Sequence, residues 1–373
     1  MFDYKKALER VLGKLERVSA RAKDTIPYRT VDGIFDDMEH EIDWWTNGFW
    51  PGMLWLVYHK TRKEEYALWA RSVEEKLDAA LCEFYRIHHD VGFMWHISAV
   101  ANYRLTGDKA AAKRGCIAAS ILASRFNPAG SFIRAWNRDE ASGEGRTGWV
   151  IIDCMMNLAI LYWASHFMQD PRFSNIAQAH AETVMKNFIY EDGSSKHICS
   201  FDPHTGEYIE NFGGQGYDRD SAWSRGAAWA LYGFAISAKY TGRKDFLNTA
   251  IRIANFFVSH LPEDQVPFSD FKAPAALNIH KDSSAAATAA SGLLLLSRLV
   301  GEHEKEFFRQ SAIRILSSLY ENYTDWEGDE ALLQKGCTAF HAKETGWMET
   351  SLIYGDYYFL EALLQLDGYE ELF

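Results

Sequence analysis

Tyr58-His59-Lys60-Thr61-Arg62-Lys63-Glu64-Glu65-Tyr66 joins two unlike helices. The residues before it, Gly48 to Val57, are aromatic, aliphatic or glycine on every helical face. The residues after it carry charge on one face and apolar side chains on the other. The join has two close echoes, Tyr103-Arg104-Leu105-Thr106-Gly107-Asp108 and Lys239-Tyr240-Thr241-Gly242-Arg243-Lys244. Weaker ones are Met168-Gln169-Asp170-Pro171 and Val300-Gly301-Glu302-His303-Glu304. A helix that is apolar all round has to be buried, and a helix with one polar face can cover it.

Outward from these joins, apolar helices fall at about 48–60, 93–104, 150–167, 225–240, 283–299 and 351–366. Amphipathic helices fall at about 4–22, 63–83, 109–126, 171–190, 244–260 and 304–323. Short polar turns make sequence neighbours antiparallel. The spacing predicts an all-α chain, an (α/α)6 barrel of six inner and six outer helices, as one domain over residues 1–373. An open solenoid of helix pairs is the rival arrangement, but six pairs are enough to close a ring. The eight prolines lie between the periodic segments or, as Pro51 and Pro171, in a segment's first turn, and no low-complexity linker divides the chain. Ser195 to Phe201 is the best strand candidate, read as a short hairpin.

Composition narrows the function. The chain has 39 Lys+Arg against 51 Asp+Glu, a net charge of −12, which argues against a nucleic-acid partner. An anionic ligand therefore needs a local cationic pocket, because the overall field repels it. Five scattered cysteines without a CxxC pair suit reduced thiols, not a disulfide framework or zinc site. The N-terminus shows no apolar run of the signal-peptide kind, and the longest apolar stretch, Ala285 to Leu295, is too short to span a bilayer. These features predict a cytoplasmic protein with no membrane partner, a monomer or weak homo-oligomer. Thirteen tryptophans exceed what core filling usually calls for, and stacking on sugar rings is a second use for them.

Parallel inner helices would bring their N-termini to one end, where unpaired N–H groups and positive dipole ends suit an anion. The segments falling there are Asp43 to Trp50, His88 to Phe93, Ile151 to Cys154 after the glycine-rich Ser142 to Gly148, Ser221 to Trp229, Lys281 to Ser284, and Tyr354 to Tyr358. Acids, aromatics and small residues recur in them, as a carbohydrate pocket requires. Asp43, Asp90, Asp282 and Ser283 also read as plain helix caps. Asp153 stands apart, because an acid among Val150, Ile151, Ile152, Cys154, Met155 and Met156 is rarely buried without a task. Desolvation there favours a retained proton, available for donation. His88-His89 lacks the spacing of a helical metal site, so no metal or other cofactor is expected. Gly213-Gly214-Gln215-Gly216 lacks the Lys-Ser/Thr of a phosphate loop and reads as a flexible, ligand-contacting loop.

The blocks Trp45-Thr46-Asn47-Gly48-Phe49-Trp50, His88 to Phe93, Ile151 to Asn157, Trp223 to Trp229 and Gly355 to Ala362 together resemble the unsaturated glucuronyl hydrolases, glycoside hydrolase family 88. The resemblance runs over nearly the whole chain and keeps motif order. It implies an (α/α)6 barrel acting on oligosaccharides left by polysaccharide lyases, such as glycosaminoglycan disaccharides ending in a 4,5-unsaturated uronic acid. Such enzymes hydrate the C4=C5 double bond, and the resulting hemiketal opens and releases the remaining sugar. By resemblance Asp153 is the general acid and base, and Asp90 is the assisting carboxylate. Trp45, Trp136 and Trp229 resemble the stacking residues. Asn47 and His89 fall in matching blocks, and His197, Gln215 and Arg225 resemble the polar set around the uronic ring. Arg225 is the expected partner of the uronate carboxylate, since a guanidinium binds it with two parallel hydrogen bonds. Some members hold a sulfate with two hydroxyls and a lysine; the comparable stretch, Thr338 to Lys343, keeps Lys343 but has His341 where a serine is expected. The unsaturated rhamnogalacturonyl hydrolases share the fold, and a non-catalytic sugar-binding scaffold is the non-enzymatic alternative.

Overall fold

A computed structural model describes residues 2–84, 86–137, 145–342 and 348–369. Amphipathic helices α1 (Tyr4–Ala22), α3 (Glu64–Glu83), α5 (Lys109–Ser124), α7 (Pro171–Asn187), α9 (Lys244–Ser259) and α11 (Glu302–Asn322) alternate in sequence with apolar ones. The apolar helices are α2 (Phe49–Thr61), α4 (91–106), α6 (Cys154–Met168), α8 (Ser224–Thr241), α10 (Ser283–Ser297) and α12 (Ile353–Leu366). Each even-numbered helix packs on the next, and α12 returns to α2, so the inner ring closes and the open solenoid is excluded. The odd-numbered helices form the outer layer, with α1 against α12.

Sequence composition explains this sorting. Every residue of α10, Ser283 to Ser297, is buried, and small residues such as Ala286, Ala290 and Gly292 let it approach α8 closely. In α9, by contrast, only Phe246, Thr249, Ala250, Ile253, Ala254, Phe256 and Phe257 are buried, a single stripe at helical spacing. The turns that join inner to outer helices use left-handed residues to end the inner member: Arg62, Gly107, Gln169 and Gly242. Asp108 and Asp170 then cap the outer helix that follows by accepting from its first amides.

The irregular structure gathers at the N-terminal end of the inner ring. Ser195 to Phe201 is not a hairpin by itself. Ile198–Phe201 (β2) is the centre of a three-stranded antiparallel sheet, between β1 (Trp149–Ile151) and β3 (Tyr208–Phe212). That pairing is why α6 starts at Cys154, since Trp149 to Ile151 are spent on the ladder with Ile198 to Ser200. Inside α4, His96–Val100 forms a π turn between two α-helical stretches, a deviation common near functional sites. Among the described residues no helix is long and apolar enough to cross a membrane.

Candidate active site

The first turns of α4 and α6 touch because Gly92 carries no side chain. A Cβ there would lie 2.7 Å from both Cα and Oδ1 of Asn157. Asn157 Oδ1 accepts from the Phe93 amide at 2.8 Å, which satisfies one free N–H of α4, and its Nδ2 donates to the Asp153 carbonyl at 3.2 Å. This contact fixes the start of one helix against the other, and with it the residues just ahead of each. Those residues are Asp90 and Asp153. Both occupy the capping position of their helix, yet neither side chain accepts a capping hydrogen bond. Asp282, in the same position on α10, caps Ser284 and Ala285. Two of the three carboxylates are therefore left for other work.

They face a cavity of about 700 Å³ whose lining includes Trp44, Trp45, Trp136, His88, His89, His197 and Gln215. A pocket of this size holds a small oligosaccharide. Asp153 Oδ2 is buried with no hydrogen-bond partner and lies 3.6 Å from His197 Nε2. His197 is held from behind: its carbonyl accepts from the Ile152 amide at 3.0 Å, and its Nδ1 accepts from the Gln215 amide at 2.9 Å while lying 3.0 Å from the Gly213 carbonyl oxygen. Gly214 is at φ +59, and a Cβ there would fall 2.1 Å from His197 Nδ1, so only glycine fits this turn. The Gly213 to Gly216 segment is accordingly tied down, not the loose loop that its composition suggested. The Phe340 amide fastens it further by donating to the Gln215 carbonyl at 2.8 Å.

Asp90 Oδ1 lies 3.2 Å from His89 Nε2. Burial, reinforced by the nearby Asp153 charge, holds the Asp90 carboxyl well above the usual carboxylate range, while Arg125 opposes the shift. Burial pushes His88 and His89 down to about 4. Burial thus favours the neutral forms of His88 and His89 and the protonated form of Asp90. Cations stand at its rim: Arg86 Nε pairs with Asp43 at 2.9 Å and its Nη2 reaches Glu41 at 3.3 Å, and Arg146 stands 5.4 Å from the Trp149 ring.

The other expected residues divide. Trp45, Trp136, His89, His197 and Gln215 line the cavity with the two aspartates. Asn47, Trp229 and Arg225 are not on its wall. Asn47 is fully buried and donates to the carbonyls of Glu41 and Ile42, bracing the turn ahead of α2. Trp229 is buried against Phe93, Tyr354 and Tyr358 within the ring. Arg225 is 1% exposed; it pairs with Asp282 at 2.8 Å and donates to the carbonyls of Cys337 and Thr338. A guanidinium at that depth needs such partners, and they take three of its five N–H donors. Lys343 lies outside the described residues. Wall residues that the sequence did not single out include Trp44, Arg86, Asn137 and Arg146, while His88 was weighed only as a metal ligand. The signal available for them was their position in loops leading to inner helices. Among the described residues no three His, Cys, Asp or Glu side chains are grouped to hold a metal ion.

Comparison with known proteins agrees with this architecture. The profile of Glycosyl Hydrolase Family 88 matches residues 18–260. An unsaturated glucuronyl hydrolase of Bacillus sp. (strain GL1) is 36% identical over 329 residues, covering 87% of this chain and 86% of the relative. An unsaturated chondroitin disaccharide hydrolase of Streptococcus pneumoniae is 31% identical over 366 residues, covering 96% and 90%. A solved structure of UGL with dGlcA-Glc-Rha-Glc superposes with a TM-score of 0.91 at 32% identity, covering 98% of this chain and 97% of that one. A closed inner ring of six helices among the described residues, two uncapped aspartates at one end of it and relatives matched over most of their length place the chain in glycoside hydrolase family 88.

Proposed function

We propose that this enzyme releases the terminal 4,5-unsaturated uronic acid from lyase-generated oligosaccharides, with glycosaminoglycan-type disaccharides as substrates, by hydrating the C4=C5 double bond. The observation that carries the reading is the pair Asp90 and Asp153, both at helix starts, both uncapped, and both facing an aromatic-walled cup. Hydration adds a proton to C4 and leaves positive charge at C5 shared with the ring oxygen. A water oxygen then bonds to C5 and gives up its proton, and the hemiketal opens to release the aglycone. Asp153, with one oxygen free of partners, is placed to exchange protons with substrate and water. Asp90 is the second carboxyl, close enough to stabilise the cationic transition state. Trp45 and Trp136 stack on the sugar rings, and His89, His197 and Gln215 bind their hydroxyls. With Arg225 paired to Asp282 and off the cavity wall, the uronate carboxylate meets the positive ends of α4 and α6. The separation rule for retaining and inverting glycosidases does not apply, because attack is at C5 and not at the anomeric carbon. Five free cysteines support a reducing, cytoplasmic setting.

Unsaturated disaccharides absorb in the ultraviolet through the alkene conjugated to the carboxylate. The protein is expected to bleach that absorbance, and Asp153→Asn to slow bleaching by roughly 10²–10⁴-fold with the helical spectrum intact. Persistent absorbance across chondroitin, hyaluronan, heparin and gellan fragments would overturn the assignment.

A further inference from the structure

The donor and acceptor pattern around His89 determines more than its position. Its Nδ1 lies 2.9 Å from the Ala135 carbonyl oxygen, which can only accept, so Nδ1 carries a hydrogen. That carbonyl is itself held in place: Arg125 Nη2 donates to it at 3.0 Å and the His89 amide at 3.3 Å. Arg125 also donates to the carbonyls of Ile87 and Arg134 and to Asn137 Oδ1, so the whole acceptor is fixed from the opposite side. A neutral imidazole with hydrogen on Nδ1 presents a bare lone pair at Nε2. Asp90 Oδ1 lies 3.2 Å from that nitrogen. An ionised carboxylate would set two acceptors against each other there, whereas a carboxylic acid donates its O–H.

We infer that His89, with its tautomer locked by the Ala135 carbonyl, keeps the proton of the carboxyl pair on Asp90 in the free enzyme. This rests on the hydration reading above and deepens it. His89 acts through Asp90 and is a positioning residue in this role, whatever contacts it makes with the sugar. The charged and titratable groups facing Asp90 are His89 ahead of α4, Asp153 and Cys154 at the start of α6, and Arg125 after α5. Of these, Asp153 disfavours a second negative charge, Arg125 favours one, and His89 stays neutral because burial holds its own proton affinity down. For hydration Asp90 passes its proton to Asp153, Asp153 gives it to C4, and the water that adds at C5 returns one to Asp153 and so to Asp90, which is ionised while the positive charge develops. The proton count of the pair is therefore unchanged after each turnover, and Asp90 is the store from which the next turnover starts.

The test compares wild type, His89→Phe and His89→Gln in the bleaching assay across pH. Phenylalanine fills the space without an acceptor; a glutamine amide can donate to Ala135 and accept from Asp90. Loss of the acceptor favours ionised Asp90, so the basic limb of kcat/KM is expected to move down by about one pH unit in His89→Phe and to return in His89→Gln. A second, activity-free readout is the infrared C=O stretch of a protonated carboxyl in the resting enzyme. In the difference spectrum against wild type, where the bands of Glu74 and Glu361 cancel, the Asp90 component is expected to be lost in Asp90→Asn and kept in Asp153→Asn. An unmoved basic limb in a folded His89→Phe, or a carboxyl band lost only in Asp153→Asn, overturns the inference while leaving the hydratase assignment standing. A wild-type enzyme that fails to bleach any substrate refutes the assignment instead, and the infrared band still decides where the proton sits.

Discussion

At the residue scale, the same side-chain type serves opposite ends. Asp282 and Asp153 both stand at the start of an inner helix. Asp282 spends its oxygens on three amides, the Ser284 hydroxyl and the Arg225 guanidinium, whereas Asp153 spends neither oxygen on its helix. Asp282→Asn leaves the buried guanidinium without its counter-charge and is expected to cost about 3–5 kcal/mol of stability, read as a lower urea midpoint. The KM of the folded enzyme should change little, because Arg225 is not on the cavity wall. A large rise in KM with an unchanged midpoint would instead restore Arg225 as the uronate partner. Asp153 was legible in the sequence because an acid in an apolar run has few structural excuses. The fate of Arg225 was not legible. Its partners Asp282, Cys337 and Thr338 are 57, 112 and 113 residues away, and no local pattern announces a contact at that separation.

At the scale of elements, the helices were readable, and of the three-stranded sheet only the central strand, Ile198–Phe201, was. Fifteen consecutive buried residues in α10 leave a signal that periodicity detects. Trp149 to Ile151, a three-residue strand whose partner lies almost fifty residues on, leaves almost none, and its apolar run merges with that of α6. The element contact that matters most for chemistry is α4 on α6 at Gly92. Gly92→Ala puts a methyl 2.7 Å from the Asn157 backbone and must push the two helix starts apart. The expected result is a loss of at least about tenfold in kcat/KM, because small misplacements of catalytic groups cost that much or more, with helical content by circular dichroism near wild type. Full activity in this variant would show that the Asp90–Asp153 spacing tolerates more slack than the packing implies.

For the whole molecule, the ring carries charges that it would rather not ionise. Glu361 on α12 is 1% exposed, accepts from the Tyr232 hydroxyl at 3.0 Å, and is pushed by burial up to about 7 from its ordinary 4.5. A folded-state value above the unfolded one stabilises the fold fully below pH 4.5, and that contribution is lost as pH rises through 7. The loss is about 3 kcal/mol. Glu361→Gln is therefore expected to flatten the fall of Tm between pH 5 and 8, and an unchanged slope would remove Glu361 from the account. Glu74, also near 7 and buried between α2 and α3, adds to the same trend.

Closure of α12 onto α2, with α1 laid along α12, has a topological corollary. Inner helices finish at the face opposite the cup, and outer helices begin there, so the beginning of α1 and the finish of α12 share that face. The carousel has no privileged first horse. Linking Leu366 to Tyr4 through a short flexible tether and cutting the backbone at the solvent-facing hinge Gly107 should give a rearranged polypeptide that folds and still turns over substrate. Measured turnover close to that of the parent is the expected outcome; an insoluble or inert product would mean that the order of synthesis, and not merely the circle it completes, is needed to build the cup.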